Sequence, residues 1–292
     1  MFNTRKLKLI LEVSMCGIFG FMLSKPQKID SALEVLKILE THRHPTEEYP
    51  LGGHGAGVYF INDQGKDNFL KVGKTSESPV KNLAEKVLRI ESKTTLFIGH
   101  VRQASPNFLD TIAFSECTQP YIASCNANLR IVSVHNGFVI NYKEIREKLG
   151  LKHSFESEEK KELIDSEIIP HFLEELLLSN NGLSRALNTL LLCLENQNNT
   201  VCLLVLSEKG AGPHLIFLHT GKTRGLTIWS NDRGEVMFSS RKEPVTQVFS
   251  EFLEKQSFEE KLSVGWNEFK HVKPLIFPLL RVHIKWKNYQ RP

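Results

Sequence analysis

The chain has 292 residues, of which 41% are hydrophobic and 24% charged, and its formal net charge is +4. This length and composition are typical of a globular protein with a substantial core, and they argue against a disordered chain. The positive charge is spread along the chain without a block of like charge, so we expect no nucleic acid as a partner.

The five cysteines form no Cys-x-x-Cys pair and are odd in number, which indicates a reducing compartment rather than a disulfide framework or a structural zinc site. The eleven histidines are scattered along the chain, and no phosphate-binding glycine motif is present. We therefore expect neither a metal nor a cofactor. No apolar run reaches the roughly 18 residues that span a bilayer, so we expect a cytoplasmic protein without a membrane partner.

Residues 1–14 form an extension that precedes Met15. The extension carries early positive charge, but Lys8 interrupts its apolar run, Glu12 ends it, and no small-x-small cleavage site follows. It is therefore either a leader that proteolysis removes or the product of an upstream start codon that the cell does not use. The second explanation is favoured, because removal of Met15 exposes Cys16 directly. We divide the chain into this extension, absent from the active form, and one domain over residues 15–292.

The first half of the domain alternates strands and helices. Residues 15–23 predict a buried strand, and Asp30 is predicted to cap a helix that ends near residue 41. Further strands are predicted over 58–61, 69–72, 95–102 and 129–134, with helices over 80–90 and 142–149.

The second half separates its helices from its strands. Residues 156–161 are charged and predicted to be exposed, and Asp165 is predicted to open a helix over 166–178 that precedes a second one over 184–195. Strands then follow over 201–206, 214–219, 226–229 and 236–239, with a final apolar run over 274–286. This segregation favours an α+β sandwich over a doubly wound nucleotide-binding fold.

Four local features offer the parts of an amide-cleaving site: Cys16 beside a glycine, Arg102 at a strand end, the dipeptide Asn136-Gly137, and Asp165 before a helix. Each alone has a structural explanation, namely a small buried residue, a salt bridge, a hairpin turn and a helix cap. If Cys16 becomes the first residue of the mature protein, however, its thiol and its own α-amine form a nucleophile and a base.

Five segments occur in the order and approximate spacing of the class II glutamine amidotransferases, which are N-terminal-nucleophile hydrolases. These segments are residues 15–20 (MCGIFG), 99–105 (GHVRQAS), 119–121 (QPY), 135–137 (HNG) and 165–167 (DSE). Residues 15–178 resemble the glutaminase domain of glucosamine-6-phosphate synthase. The resemblance implies a four-layer αββα sandwich, with two antiparallel sheets between helical layers.

The resemblance also implies a role for each candidate residue. The Cys16 thiolate attacks the side-chain amide of glutamine, and the Asn136 amide and the Gly137 backbone N–H donate to the developing oxyanion. Arg102 binds the α-carboxylate of the substrate, and Asp165 binds its α-ammonium group. Ammonia leaves, and water hydrolyses the γ-glutamyl thioester that remains. While residue 15 is attached, the Cys16 nitrogen is a non-basic amide, so we expect the unprocessed chain to be inactive.

The choice of substrate stays open. Gln103 and Pro106 replace residues that are usual in synthase-type domains, which favours a stand-alone branch that includes γ-glutamyl peptide hydrolases. The chain ends shortly after one domain's worth of residues, so we expect either a separate synthase subunit that accepts the ammonia or simple hydrolysis of a γ-glutamyl amide. A third alternative is a regulatory subunit that binds glutamine without turnover.

Overall fold

The computed structural model describes residues 15–45, 47–126, 128–179, 182–194, 197–207, 214–221, 223–264 and 272–278. The predicted extension over residues 1–14 lies outside these ranges, and so does the end of the predicted strand over 274–286. Among the residues described, no helix is both long enough and apolar enough to cross a membrane.

The described residues form two antiparallel sheets. Their strands are β1 (Gly17–Lys28), β2 (Gly55–Ile61), β3 (Asp67–Gly73), β4 (Lys93–Arg102), β5 (Tyr121–Ala123), β6 (Leu129–Asn136), β7 (Asn199–Ser207), β8 (His214–Thr220), β9 (Leu226–Ser230), β10 (Val236–Ser239), β11 (Glu259–Val264) and β12 (Val272–Pro278). The first sheet has the order β11-β9-β10-β1-β4-β2-β3, and the second has the order β12-β8-β7-β6-β5.

Helices connect the strands. The α-helices are α1 (Ile29–Thr41), α2 (Pro79–Leu88), α3 (Tyr142–Leu149), α4 (Glu156–Lys160), α5 (Ile168–Leu178), α6 (Gly182–Leu194) and α7 (Lys242–Lys255). Short 3-10 helices occur at Pro106–Thr111, Ser115–Cys117, Gly150–Lys152 and Asp165–Glu167.

Alternate side chains of a strand point to opposite sides of its sheet. The first sheet has buried side chains on both sides. In β1, Phe19 and Phe21 pack toward α1, α2 and α7, whereas Ile18 and Met22 pack toward the second sheet. A ring stack joins the layers, since the Phe19 and Phe249 centroids lie 6.0 Å apart. This burial explains why β1 begins as a continuous apolar run.

The second sheet follows the same rule. In β7, Leu203 and Val205 pack with α3, α5 and α6, while Cys202 and Leu204 face the first sheet. The layers are therefore helices, sheet, sheet and helices, and the predicted four-layer αββα sandwich is confirmed.

One predicted detail of this architecture is wrong, and one helix was not predicted. Asp30 does not cap α1, which begins at Ile29, because the Ile29 N–H donates to the Ser92 carbonyl oxygen at 3.0 Å and needs no side-chain cap. Helix α7 was not predicted, although its apolar residues recur at helical spacing. Those residues are Val245, Val248, Phe249, Phe252 and Leu253.

Candidate active site

All five predicted site residues line one cavity of about 40 Å³. They are Cys16, Arg102, Asn136, Gly137 and Asp165. The antiparallel register places Gly17 opposite Val101, so the residue before β1 lies beside the last residue of β4. Asn136 ends β6 in the other sheet, and the cavity therefore lies where strand ends of both sheets meet. We call it the active-site cavity.

Cys16 bonds to both walls of this cavity. Its backbone nitrogen donates to Asn136 Oδ1 at 3.1 Å, and its Sγ approaches the Gln103 carbonyl oxygen at 3.6 Å. Burial raises the pKa of the Cys16 thiol, against the opposing effects of the Gln103 backbone and the Arg102 charge. The thiol is therefore protonated at neutral pH and requires a base before it can act as a nucleophile.

Asn136 and Gly137 close the cavity on the side of the second sheet. Asn136 is buried, and its Nδ2 has no hydrogen-bond partner among the residues that the structure describes. A Cβ on Gly137 would lie 2.1 Å from Asn199 Oδ1 and 2.6 Å from His135 Nε2, so only glycine fits there. The arrangement leaves an unused amide donor beside the Cys16 backbone.

His135 is a structural residue rather than a base for the thiol. Its Nδ1 lies 2.9 Å from Ser166 Oγ, and its Nε2 lies 2.8 Å from Asn199 Oδ1. Asn199 Oδ1 also accepts from the Phe138 N–H, so His135 Nε2 donates and Nδ1 accepts. Burial lowers the pKa of His135 to about 4, which keeps the ring neutral. Both of its ring nitrogens are occupied.

Arg102 is held by one residue of the loop that follows β4. Its Nη2 donates to Thr111 Oγ1 at 2.6 Å, and its Nη1 donates to the Thr111 carbonyl oxygen at 3.3 Å. A guanidinium has five N–H donors, so these two bonds orient the group and leave others for a carboxylate in the cavity.

Asp165 lies in the cavity wall and does not cap a helix as predicted. Asp165 is the first residue of the 3-10 helix Asp165–Glu167, and α5 starts only at Ile168. The Asp165 Oδ2 accepts from the Val139 N–H at 2.8 Å. Burial raises the pKa of Asp165 to about 7, although the Val139 and Ser166 backbone bonds and the Arg102 charge oppose this rise. Such a carboxyl is easily ionised by a cation that binds beside it.

Several supporting residues were given no role from the sequence. Gln119 brackets the backbone of His135: its Oε1 accepts from the His135 N–H at 2.6 Å, and its Nε2 donates to the His135 carbonyl oxygen at 3.0 Å. Thr111 orients Arg102, and Asn199 orients His135. Only Gln119 stood in a recognised motif, whereas Thr111 and Asn199 come from segments that the sequence marks only as connections.

Known proteins are similar in sequence to part of this chain. The chain matches no family model. A glutamine–fructose-6-phosphate aminotransferase of Sulfurisphaera tokodaii is 31% identical over 169 residues, which is 56% of this chain and 24% of that protein. The corresponding protein of Pyrococcus horikoshii is 31% identical over 194 residues, which is 65% of this chain and 27% of that protein. The chain spans about a quarter of the length of these relatives.

The fold has a counterpart among solved structures. The glutamine phosphoribosylpyrophosphate amidotransferase of B. subtilis aligns with a TM-score of 0.54 and 18% identity, over 89% of this chain and 47% of that one. The resemblance to the class II glutamine amidotransferases is confirmed. The homologous amidotransferases are enzymes, and the amidotransferase-like fold continues here beyond the predicted residue 178, since the solved structure aligns over most of the chain.

Proposed function

We propose that this protein hydrolyses the side-chain amide of glutamine to glutamate and ammonia, with Cys16 as an N-terminal nucleophile. The observation that carries the proposal is the pairing of Cys16 with Asn136. The side-chain Oδ1 of Asn136 accepts from the Cys16 nitrogen at 3.1 Å, while its buried Nδ2 has no partner in the described part of the chain. A donor left unpaired beside a thiol is what a developing oxyanion requires.

The chemistry follows from these contacts. Once the Cys16 amine is free, its unperturbed pKa of about 8 lets it take the proton of the thiol. The thiolate attacks the amide carbon, and the Asn136 amide and the Gly137 N–H donate to the oxyanion. The carbon–nitrogen bond then breaks, the ammonium group of Cys16 returns the proton, and ammonia leaves. Water hydrolyses the thioester, releasing glutamate and restoring the thiol.

Substrate binding uses the two charged groups of the cavity. The N–H donors of Arg102 that Thr111 leaves unused bind the α-carboxylate of glutamine. The Asp165 carboxylate binds the α-ammonium group, whose charge lowers the raised pKa of Asp165.

Processing at residue 15 switches the base on. Met15 is 5% exposed and contacts Arg241, whose Nη2 lies 4.0 Å from the Met15 Sδ. While Met15 is attached, the Cys16 nitrogen is an amide and cannot accept a proton. We propose that residues 1–14 are removed from or absent in the active form, and that loss of Met15 places a basic amine beside Asn136.

The test compares two forms of one protein. One is the 292-residue chain, and the other begins at Cys16 after cleavage of a removable fusion partner; intact mass verifies each N-terminus. We expect glutamate and ammonia from the second form only, and no turnover from its Cys16→Ala variant. Equal turnover by a mass-verified 292-residue chain would refute the role of the free amine.

The same preparation separates the alternatives. A γ-glutamyl peptide hydrolase would prefer γ-glutamyl peptides to glutamine, whereas a regulatory subunit would bind glutamine without releasing glutamate. A glutamine-like diazoketone should label Cys16 of the active form, because it places an electrophilic carbon where the amide carbon binds. Absence of both labelling and turnover would favour the regulatory subunit.

The ammonia requires an acceptor. The relatives that this chain matches are aminotransferases of which the match covers only about a quarter, and their names specify fructose 6-phosphate together with glutamine. We propose that ammonia from this chain passes to a synthase partner. Two measurements test this step. The first is copurification of such a partner with this chain, and the second is whether the partner's synthesis depends on glutamine and not on added ammonia.

A further inference from the structure

Four side chains with metal-binding atoms meet on the helical side of the second sheet. They are Cys125, His153, His171 and Glu174, and one donor atom of each lies within 4.8 Å of the others. Cys125 follows β5, and His153 follows the 3-10 helix Gly150–Lys152. His171 and Glu174 lie three residues apart on α5, which puts both on one face of that helix. We call this group the Cys125 cluster.

The distances within the cluster match those of a tetrahedral site. His153 Nδ1 lies 3.3 Å from His171 Nδ1 and 3.4 Å from Glu174 Oε2, and Cys125 Sγ lies 3.7 Å from His171 Nδ1. A tetrahedral zinc ion, with bonds of about 2.0 Å to nitrogen or oxygen and about 2.3 Å to sulfur, spaces its ligands by about 3.3 to 3.6 Å. These three distances are thus close to those of a tetrahedral site, and the remaining pairs of donor atoms lie within 4.8 Å.

The charges in the cluster also suit a divalent cation. His153, His171 and Glu174 are all at most 4% exposed. Glu174 Oε2 has no hydrogen bond within the described ranges, although it faces His153 Nδ1. A carboxylate buried in this way is costly unless a cation compensates it, and either a protonated His153 at 3.4 Å or a bound metal ion can do so. One divalent ion neutralises a thiolate and a carboxylate, with both imidazoles neutral.

Outer contacts hold the ligands in position. Glu174 Oε1, the other oxygen of that carboxylate, accepts from the Asn126 N–H at 2.9 Å. His153 Nε2 faces Glu175 Oε2 at 3.4 Å, which favours a proton on Nε2 and leaves the lone pair of Nδ1 directed at the cluster. A carboxylate behind a ligating imidazole is the usual outer contact of zinc sites.

We propose that Cys125, His153, His171 and Glu174 bind one zinc ion in a closed structural site. Thiolate and imidazole ligands favour zinc over magnesium or calcium. Four protein ligands leave no position open for a substrate, so the ion stabilises the fold instead of reacting. It joins the β5–β6 connection to α5, the helix that directly follows the Asp165–Glu167 turn of the active-site cavity. This proposal differs from the expectation from sequence that no metal is bound.

The test measures metal binding by the full chain independently of glutaminase activity. Metal-free protein is titrated with zinc and, separately, with cobalt. We expect one ion per chain, a higher midpoint of thermal unfolding with zinc, and a cobalt spectrum with thiolate charge-transfer and intense tetrahedral bands. The Cys125→Ser variant should lose the thiolate band. The Cys193→Ser variant, which removes a half-buried thiol from α6, and the Cys16→Ala variant should retain it.

A milder variant covers the case in which loss of a ligand prevents folding. The Glu175 side chain is 37% exposed, so Glu175→Gln should fold, yet it weakens the outer contact to His153. We expect zinc affinity to fall by about 10- to 100-fold. Wild-type protein that binds no zinc, or a thiolate–cobalt band that persists in Cys125→Ser, would overturn the proposal. Either result leaves the glutaminase assay unaffected.

Discussion

The active-site cavity and the Cys125 cluster use the same kinds of side chain for different ends. Each contains a cysteine, a histidine and a buried carboxylate. In the cavity, the Cys16 sulfur contacts a backbone carbonyl oxygen, both nitrogens of His135 are occupied, and the Asn136 Nδ2 is left without a partner in the described chain. In the cluster, the four polar atoms point at one another.

This difference indicates how connectivity would separate the proposed substrate site from the proposed ion site. Strand ends supply Cys16, Arg102, Asn136 and Gly137, and a 3-10 helix supplies Asp165, so that the cavity lies where the ends of the two sheets meet. A helix and two connections supply the cluster residues, whose donor atoms lie within 4.8 Å of one another. The residue types in a cluster of polar side chains therefore indicate its function less well than the direction of its unpaired hydrogen-bond donors and acceptors.

The largest expected effect comes from removing each thiol in turn. Cys16→Ala in the form that begins at residue 16 should lower glutamine hydrolysis by about 10⁴-fold or more, because the nucleophile is gone. Its zinc content should not change. Cys125→Ser should lose zinc while Cys16 stays reactive toward the diazoketone. Loss of zinc in Cys16→Ala would show that the two sites are not separate.

The next effect concerns the oxyanion donor. Asn136→Ala removes the unpaired amide nitrogen, and we expect kcat for glutamine to fall by about 100- to 1000-fold. Steady-state kinetics check this, with Asn141→Ala as the control, because Asn141 is an asparagine of the β6–α3 connection and does not line the cavity. An unchanged kcat in Asn136→Ala would remove Asn136 from the mechanism.

The backbone at Gly137 gives a smaller effect, on stability as well as activity. The Cβ in Gly137→Ala would overlap Asn199 Oδ1, so the strand end must shift. We expect the free energy of unfolding to fall by about 1–3 kcal/mol, measured by denaturant titration, together with a loss of kcat. Gly150→Ala is the control. An alanine would be strained at the Gly150 φ of +61°, but its Cβ would meet no atom within 4 Å. Equal losses in both variants would point to backbone strain alone.

The smallest effect is the pH dependence of glutamine binding. Asp165 has a pKa of about 7 in the empty site, so it is protonated below that pH and binds the α-ammonium group poorly. In the Cys16→Ala background, the Kd for glutamine should rise as the pH falls below 7, by at most about tenfold per pH unit for one proton.

Calorimetry of that variant checks the pH dependence without interference from the amine–thiol pair. Arg102 stays charged throughout the range. His135, with a pKa of about 4, stays neutral. The Asp165→Asn variant should bind glutamine weakly at every pH. If the Kd of the Asp165→Asn variant varied with pH in the same way as the Kd of the protein with Asp165, the titration would belong to another group.

Much of the fold is local enough to be predicted. The bounds of α3 agree with the prediction at both ends, and the predicted strand over 236–239 is β10 itself. The errors occur where tertiary contacts replace local signals. The N–H of Ile29 finds the Ser92 carbonyl oxygen across the fold, so α1 needs no cap at Asp30. Asp165 turns its carboxylate to Val139 instead of capping a helix.

The sequence by itself identified the candidate residues Cys16, Arg102, Asn136, Gly137 and Asp165, because these sit in short motifs whose order along the chain is informative. The tertiary structure alone decided which hydrogen-bonding groups have partners within the described chain and which have none. Thr111, Asn199 and the Cys125 cluster are spread over segments far apart in the chain, and only the packing of α5 and of the strand ends brings them together. Local pattern encodes what a residue can do, whereas the partners that three-dimensional packing supplies decide what it does.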